Sequence, residues 1–164
     1  MTITLRRALG ALAATTLMLT GAIAAASPAS VAAQTIPAMT GIRTGLNTGF
    51  DRIVLDLTAG PVPAVRYDLV DELIADGSGD IVWLTGEYFI AVTATPAAAH
   101  DAAGNPTYPG PQKFRTRGLR NVMAVAVTGD YEGTLSLGLG VRSRTPVTVF
   151  TLTAPNRVVI DVGH

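Results

Sequence analysis

Hydrophobic residues after position 41 occur in short runs rather than at helical spacing. The runs consist mainly of Val, Ile, Leu, Thr and Tyr, and each ends at Gly, Pro, Asp or Asn, which is typical of β-strands separated by turns. No convincing period of 3.6 residues occurs beyond the first 26 residues. The pattern therefore predicts an all-β fold of about eight short strands, either a β-sandwich or a barrel. The predicted strands are 52–58, 65–70, 81–84, 88–95, 121–128, 134–141, 147–153 and 157–162.

Two of these strands resemble each other, DRIVLDL at 51–57 and NRVVIDV at 156–162. Each has Arg in the second position and Asp in the sixth. Because side chains alternate along a strand, Arg52 and Asp56 share one face, and the aliphatic residues between them point to the other. We expect the polar face to form cross-strand pairs on a solvated surface rather than to anchor a ligand. On this reasoning Arg52 and Arg157 are equivalent. The core-facing residues of the second copy are predicted to be Val158 and Ile160.

The N-terminus has the arrangement of a secretory signal peptide. Arg6 and Arg7 precede an apolar stretch, and small residues of the type preferred for cleavage end at Ala26 and again at Ala33. The alternative is an uncleaved anchor, since residues 8–26 nearly reach the length that spans a bilayer. The stretch is dominated by Ala, Thr and Gly, which partition weakly into lipid, so we favour cleavage and expect no membrane span in the mature chain. The predicted organisation is a signal peptide at 1–26, with cleavage as late as 33 as the variant, a small-residue linker at 27–40 and one domain at 41–164.

Composition and charge limit the classes of function. The sequence contains no cysteine, which excludes disulfides and thiol chemistry. Removal of Arg6 and Arg7 with the signal peptide leaves 10 basic and 12 acidic side chains, a net charge of −2, so nucleic acid is not an expected partner. Residues 67–112 contain no Lys or Arg, whereas 102–129 contain no Asp or Glu. These segments either neutralise each other in the fold, which we favour, or form two separate patches.

The sequence has no recognised catalytic or metal-binding motif. Its two histidines are 64 positions apart, and no serine lies in a G-x-S-x-G turn. The segment DGSGDIVWLTGE places oxygen ligands at four positions of a calcium loop, but Ile81 occupies the position that requires Gly. We interpret 77–79 as the tip of a hairpin. No metal, cofactor or catalytic residue is therefore predicted, and a glycosidase with two carboxylates is the enzymatic alternative left open.

The segment AHDAAGNPTYPGP, residues 99–111, is too rich in Gly and Pro for a regular element and predicts a long loop. It contains several side chains of the types that bind sugars or peptides, namely His100, Asp101, Asn105, Thr107 and Tyr108. The alternative, which we favour, is structural. Asp101 then closes an Asx-turn and His100 caps strand carbonyls.

Three stretches, GFDRIVLDLTAG, AHDAAGNPTYPGP and APNRVVIDVGH, occur in an order that resembles the AMIN-like domain of secreted actinobacterial proteins. The resemblance covers residues 41–164, and the last strand also resembles the strand signature of the classical AMIN domain. It implies a β-sandwich without catalytic residues, secreted or associated with the cell wall, that contacts peptidoglycan. The alternative is a protein-interaction module that recruits or inhibits an envelope enzyme.

The segment KFRTRGLR carries a cationic row, which we define as Lys113, Arg115 and Arg117. In an extended chain these residues project from one side and Phe114 from the other. Peptidoglycan and attached anionic polymers present carboxylates and phosphates, which such a row would bind through charge-assisted hydrogen bonds. The alternative, which we slightly favour from the sequence, is an edge strand whose charge prevents aggregation. The candidate ligand-binding residues are therefore His100, Asp101, Asn105, Tyr108, Lys113, Arg115 and Arg117.

Overall fold

The computed structural model describes residues 35–164, which contain nine β-strands and no helix. The signal peptide predicted at 1–26 and most of the predicted linker lie outside these residues. No helix in the described range is long and apolar enough to cross a membrane. The strands are β1 (Met39–Leu46), β2 (Phe50–Leu57), β3 (Ala64–Val70), β4 (Tyr88–Thr95), β5 (Lys113–Arg115), β6 (Val122–Tyr131), β7 (Thr134–Val141), β8 (Val147–Leu152) and β9 (Arg157–Gly163).

The strands form two antiparallel sheets that pack face to face. The first sheet has the order β1-β2-β9-β8 and the second the order β3-β4-β7-β6-β5. Alternating aliphatic residues of both sheets fill the space between them, as expected for a sandwich. The largest fully buried side chains are Met39, Ile53, Leu55, Ile90, Leu135, Leu137, Leu139 and Ile160. The predicted all-β sandwich is confirmed.

The two similar strands, β2 and β9, are antiparallel neighbours in the four-stranded sheet. Their predicted inward face is also confirmed, because Val158 and Ile160 are fully buried. The antiparallel register places the Arg of each copy opposite the Asp of the other, so that Arg52 lies opposite Asp161. Cross-strand pairing therefore joins the two copies to each other.

The predicted equivalence of the two arginines is wrong. Arg52 forms two parallel hydrogen bonds with the Asp161 carboxylate, both 2.7 Å long. Arg157 lies opposite Asp56, but that carboxylate binds Arg43 on the neighbouring β1 at 2.6 Å instead. The sequence pattern could not show this difference, because Arg43 of β1 binds Asp56, whereas no residue of β1 reaches Asp161.

Strand prediction failed at three places. Strand β1 begins at Met39, inside the predicted linker, and its exposed, Gly-containing sequence gives no clear alternation. Strand β5 has only three residues and was predicted only as an extended segment with alternating side chains. No strand forms at 81–84, where one isolated bridge joins Ile81 to Ile74. This bridge closes a short hairpin whose tip is 77–79, as predicted.

The segment that was expected to contain a strand instead crosses the outer face of the five-stranded sheet. We call residues 71–87 the covering segment. Its Asp76 N–H donates to Thr128 O of β6, and Leu73 lies against Gly138 of the central strand β7. Side chains of β7 alternate between leucines that enter the core and the small residues Ser136, Gly138 and Gly140. The small residues leave room for a second layer of chain on that face.

Candidate functional site

A groove of about 310 Å³ lies where the covering segment reaches strand β5. Its walls combine an aromatic ring, two cationic side chains and small or aliphatic groups: Trp83, Leu84, Thr85, Lys113, Phe114, Arg115 and Ala124. The Lys113 ammonium donates to the backbone oxygen of Trp83 at 2.9 Å, which ties the covering segment to the edge strand. We call this feature the Trp83 groove.

The cationic row lies along the edge of the five-stranded sheet. Lys113, Arg115 and Arg117 are exposed, whereas Phe114 is half-buried and packs against the core. The predicted alternation is therefore confirmed. Among residues 35–164, no acidic side chain forms an ion pair with Arg115 or Arg117. Both guanidinium groups remain available to an external anion.

Sequence reasoning missed Trp83. It is the most exposed of the large hydrophobic side chains in the described range, at 78%, although its neighbours predicted a half-buried strand. Its position depends on the covering segment, where Val82 N–H donates to Leu73 O at 2.7 Å. The sequence feature that could have indicated this placement lies far from Trp83 in the chain. It is the alternation of small residues in the apolar strand β7, which indicates that another segment covers the outer face of that strand.

Asp101 and Asn105 hold the 99–111 loop in shape. The Asp101 carboxylate accepts hydrogen bonds from the backbone N–H groups of Ala103 and Asn105, both at 2.9 Å, and from the Asn105 side chain. Hydrogen bonds from the side chain and backbone of Asn105 lower the pKa of Asp101, because they stabilise its charged form. The Asx-turn predicted from the sequence is present.

His100 pairs with a carboxylate rather than capping strand carbonyls as expected. Its Nδ1 lies 2.6 Å from Oδ2 of Asp130 on β6, and the other oxygen of that carboxylate is buried without a hydrogen-bond partner. The imidazole lines two cavities. The larger, about 660 Å³, is lined mainly by Ala, Thr and Ile, and the smaller, about 390 Å³, extends to Gln112 beside the cationic row. This geometry holds the ring in place at the junction of the loop and β6.

Tyr108 and Thr107 face the interior. Tyr108 is only 8% exposed, and its ring packs over Gly110 so closely that no Cβ would fit there. Burial raises the pKa of the Tyr108 phenol, because the ionised form loses hydration. The Thr107 hydroxyl donates to Met39 O at 2.7 Å. These placements favour packing and anchoring of the loop. Asp101 and Asn105 are exposed as well, but they are hydrogen-bonded to each other, whereas Arg115 and Arg117 are exposed without an ion-pair partner in the described residues.

The acidic and basic segments carry side chains that do not pair with each other in the described residues. The basic residues of 113–120 lie at the β5 edge of the five-stranded sheet, and Asp68 and Asp71 lie in or next to β3 at the opposite edge. Within the described residues no ion pair joins the two segments; Asp71 instead approaches Arg144 at 3.7 Å. The favoured expectation of direct pairing is therefore not met, although the acidic segment does reach the basic one where Lys113 contacts the backbone of Trp83.

Comparison with known proteins gives one match. The family model of the AMIN-like domain matches residues 37–164, nearly the whole described range. No curated protein and no solved structure matches the chain. Domains of this family are generally non-catalytic binding or targeting domains of envelope-associated proteins.

Proposed function

This chain belongs to the AMIN-like domain family, and we propose that it is a secreted or wall-associated module that binds peptidoglycan or its attached anionic polymers without catalysing a reaction. The observation that supports this proposal is the cationic row beside an exposed indole in the Trp83 groove. Anionic wall polymers offer repeated carboxylates or phosphates, and a row of exposed cations at one sheet edge suits a repeating ligand.

The chemistry of the row favours recognition of anions in water. Arg115 and Arg117 present planar guanidinium forks that match carboxylate and phosphate oxygens in pairs. Their exposure means that salt screens the attraction once the Debye length falls to about 8 to 10 Å, near physiological ionic strength. Binding that depends on these residues should therefore weaken as salt is added.

Co-sedimentation with insoluble peptidoglycan tests the proposal. The purified domain should pellet with the polymer at low salt and shift to the supernatant as salt rises. The double variant Arg115→Glu with Arg117→Glu should stay in the supernatant and keep its melting temperature. A matched control, Arg66→Glu with Arg157→Glu, makes the same change in net charge away from the β5 edge. The proposal is wrong if the native domain does not pellet, or if both double variants pellet equally well.

The separated charges support a second candidate, a module that recruits or inhibits an envelope enzyme. Asp68 and Asp71 at the β3 edge, opposite the basic residues at β5, would give a protein partner an orientation-dependent target. Crosslinking in cells should then capture a protein, and Asp68→Lys with Asp71→Lys should abolish the crosslink while wall binding persists. Failure to capture any protein would contradict this second function.

A further inference from the structure

We infer that the Trp83 groove is a subsite for one pyranose sugar carrying a carboxylate. This inference rests on the proposed wall-binding function and specifies which chemical group of the wall the domain recognises, a sugar whose carboxylate is free rather than amide-linked to a stem peptide. It follows from three features of the groove: an open aromatic face, a rigid attachment of that face and a free guanidinium group beside it.

The aromatic face of Trp83 is open to solvent. At 78% its exposure is well above that of Ile74 (46%) and Ile81 (39%) on the same covering segment, whereas Leu73 there is buried. Cations stack on Phe50, Phe150 and Tyr88, but within residues 35–164 none stacks on the indole. An indole combines a large apolar face with one polar N–H group, which suits the C–H face of a pyranose ring with its hydroxyl rim.

The ring is attached to a rigid support. Lys113 anchors the backbone of Trp83 from one side, and the Leu73 to Val82 hydrogen bond holds it from the other. Preorganisation of this kind reduces the entropy lost on binding. Lys113 therefore acts as a positioning residue, since its hydrogen bond to the protein backbone orients the segment that carries the indole.

Arg115 supplies the charge recognition. Its side chain lines the same groove as Trp83 and has no ion-pair partner in the described part of the chain. A volume of about 310 Å³ is near the lower end for small-molecule sites, which suits one sugar unit rather than a longer oligosaccharide. A neutral sugar would leave Arg115 unpaired, and a polyol phosphate would leave the indole uncovered. A carboxylated pyranose satisfies both.

Intrinsic fluorescence reads this site directly, because Trp83 is the only tryptophan in the sequence. The probes are N-acetylmuramic acid and N-acetylglucosamine, which differ by the ether-linked lactyl group that carries the free carboxylate, and glycerol 3-phosphate as an anion without a pyranose ring. We expect a saturable change with the acidic sugar, binding about tenfold weaker or more for the neutral sugar, as befits loss of a charge-assisted hydrogen bond, and no saturable change with glycerol 3-phosphate. Equal responses to both sugars, a saturable response to glycerol 3-phosphate, or no response to the acidic sugar would overturn the inference.

Two pairs of variants locate the effect. Arg115→Gln should weaken the affinity for N-acetylmuramic acid about tenfold, whereas Arg66→Gln on the opposite edge strand should leave this affinity unchanged. Trp83→Ala should abolish binding measured by saturation-transfer NMR of the sugar. Tyr131→Ala should not, although Tyr131 is also strongly exposed at 67%. Native affinity in Arg115→Gln or in Trp83→Ala would contradict the subsite.

The two proposals fail in different ways. If the domain pellets with peptidoglycan but its fluorescence ignores the acidic sugar, wall binding stands and the subsite is wrong. If the sugar binds but the domain does not pellet, the subsite stands and the wall-binding function is wrong.

Discussion

The carboxylate of Asp51 accepts a hydrogen bond of 2.6 Å from the backbone N–H of Asn121, and this contact joins the two sheets. Asp51 is fully buried on β2, and it also accepts from the N–H groups of Val122 at 2.8 Å and Arg120 at 3.1 Å. The side chain of Asn121 in turn donates to Gly163 O at 2.8 Å. One polar junction therefore fixes the start of β6 against β2 and β9, the two central strands of the four-stranded sheet.

Asp51→Asn should destabilise the fold by about 3 kcal/mol. The Asn side chain has one oxygen instead of two, so at least one buried backbone N–H group loses its acceptor. Its new NH₂ group also points at backbone N–H groups, which cannot accept a hydrogen bond. Chemical denaturation measures the loss. Asp56→Asn is the matched control, because the Arg43 to Asp56 pair is exposed and screened by solvent, so its loss should be clearly smaller. Equal losses in the two variants would show that the buried junction has no special role.

Arg52→Ala should cost more stability than Arg157→Ala. Arg52 keeps a bidentate contact with Asp161 while stacking 5.0 Å from the ring centre of Phe50, so its removal should cost about 1 to 2 kcal/mol. The only side-chain hydrogen bond of Arg157 in the described structure runs to the nearby Pro155 O at 3.3 Å, and its loss should cost about 0.5 kcal/mol or less. Thermal melts of the two variants decide the order, and a larger effect at Arg157 would refute it.

Gly140→Ala should detach the covering segment from the sheet. A Cβ at this position would overlap the backbone of Thr85 and Gly86, so we expect a loss of about 2 kcal/mol and faster proteolysis within 71–87. Gly45→Ala in β1 is the control, because no atom lies within 4 Å of the Cβ it would add. A native-like proteolysis pattern for Gly140→Ala would show that the segment tolerates displacement.

Acidification should loosen the turn at 101–105. Hydrogen bonds from Asn105 lower the pKa of Asp101 below its ordinary value of 3.8. Stabilisation by the carboxylate is therefore complete above that value and is lost as the pH falls through the lowered pKa of the folded state. NMR shifts of the Ala103 and Asn105 amides should follow this titration, and Asp101→Asn should remove it. Amide shifts that move at or above the ordinary value would contradict the direction.

The sequence by itself determined the features that depend on local periodicity. Alternation along β2 and β9 placed Val158 and Ile160 inside, and the same rule placed the cationic row on one side of an extended segment with Phe114 on the other. The Asx-turn at Asp101 was also predictable, because its donors lie within four residues. In each case neighbours in the chain are neighbours in space.

The tertiary structure decided everything that depends on which distant segment lies next to which. Arg43 reaches Asp56 only because β1 pairs with β2. Arg157 therefore does not form the cross-strand pair with Asp56 that the sequence suggested. Trp83 meets the cationic row only because the covering segment crosses β7 and β6 to β5. Strand order is set by the burial of whole faces summed over the molecule, so no local pattern specifies these contacts.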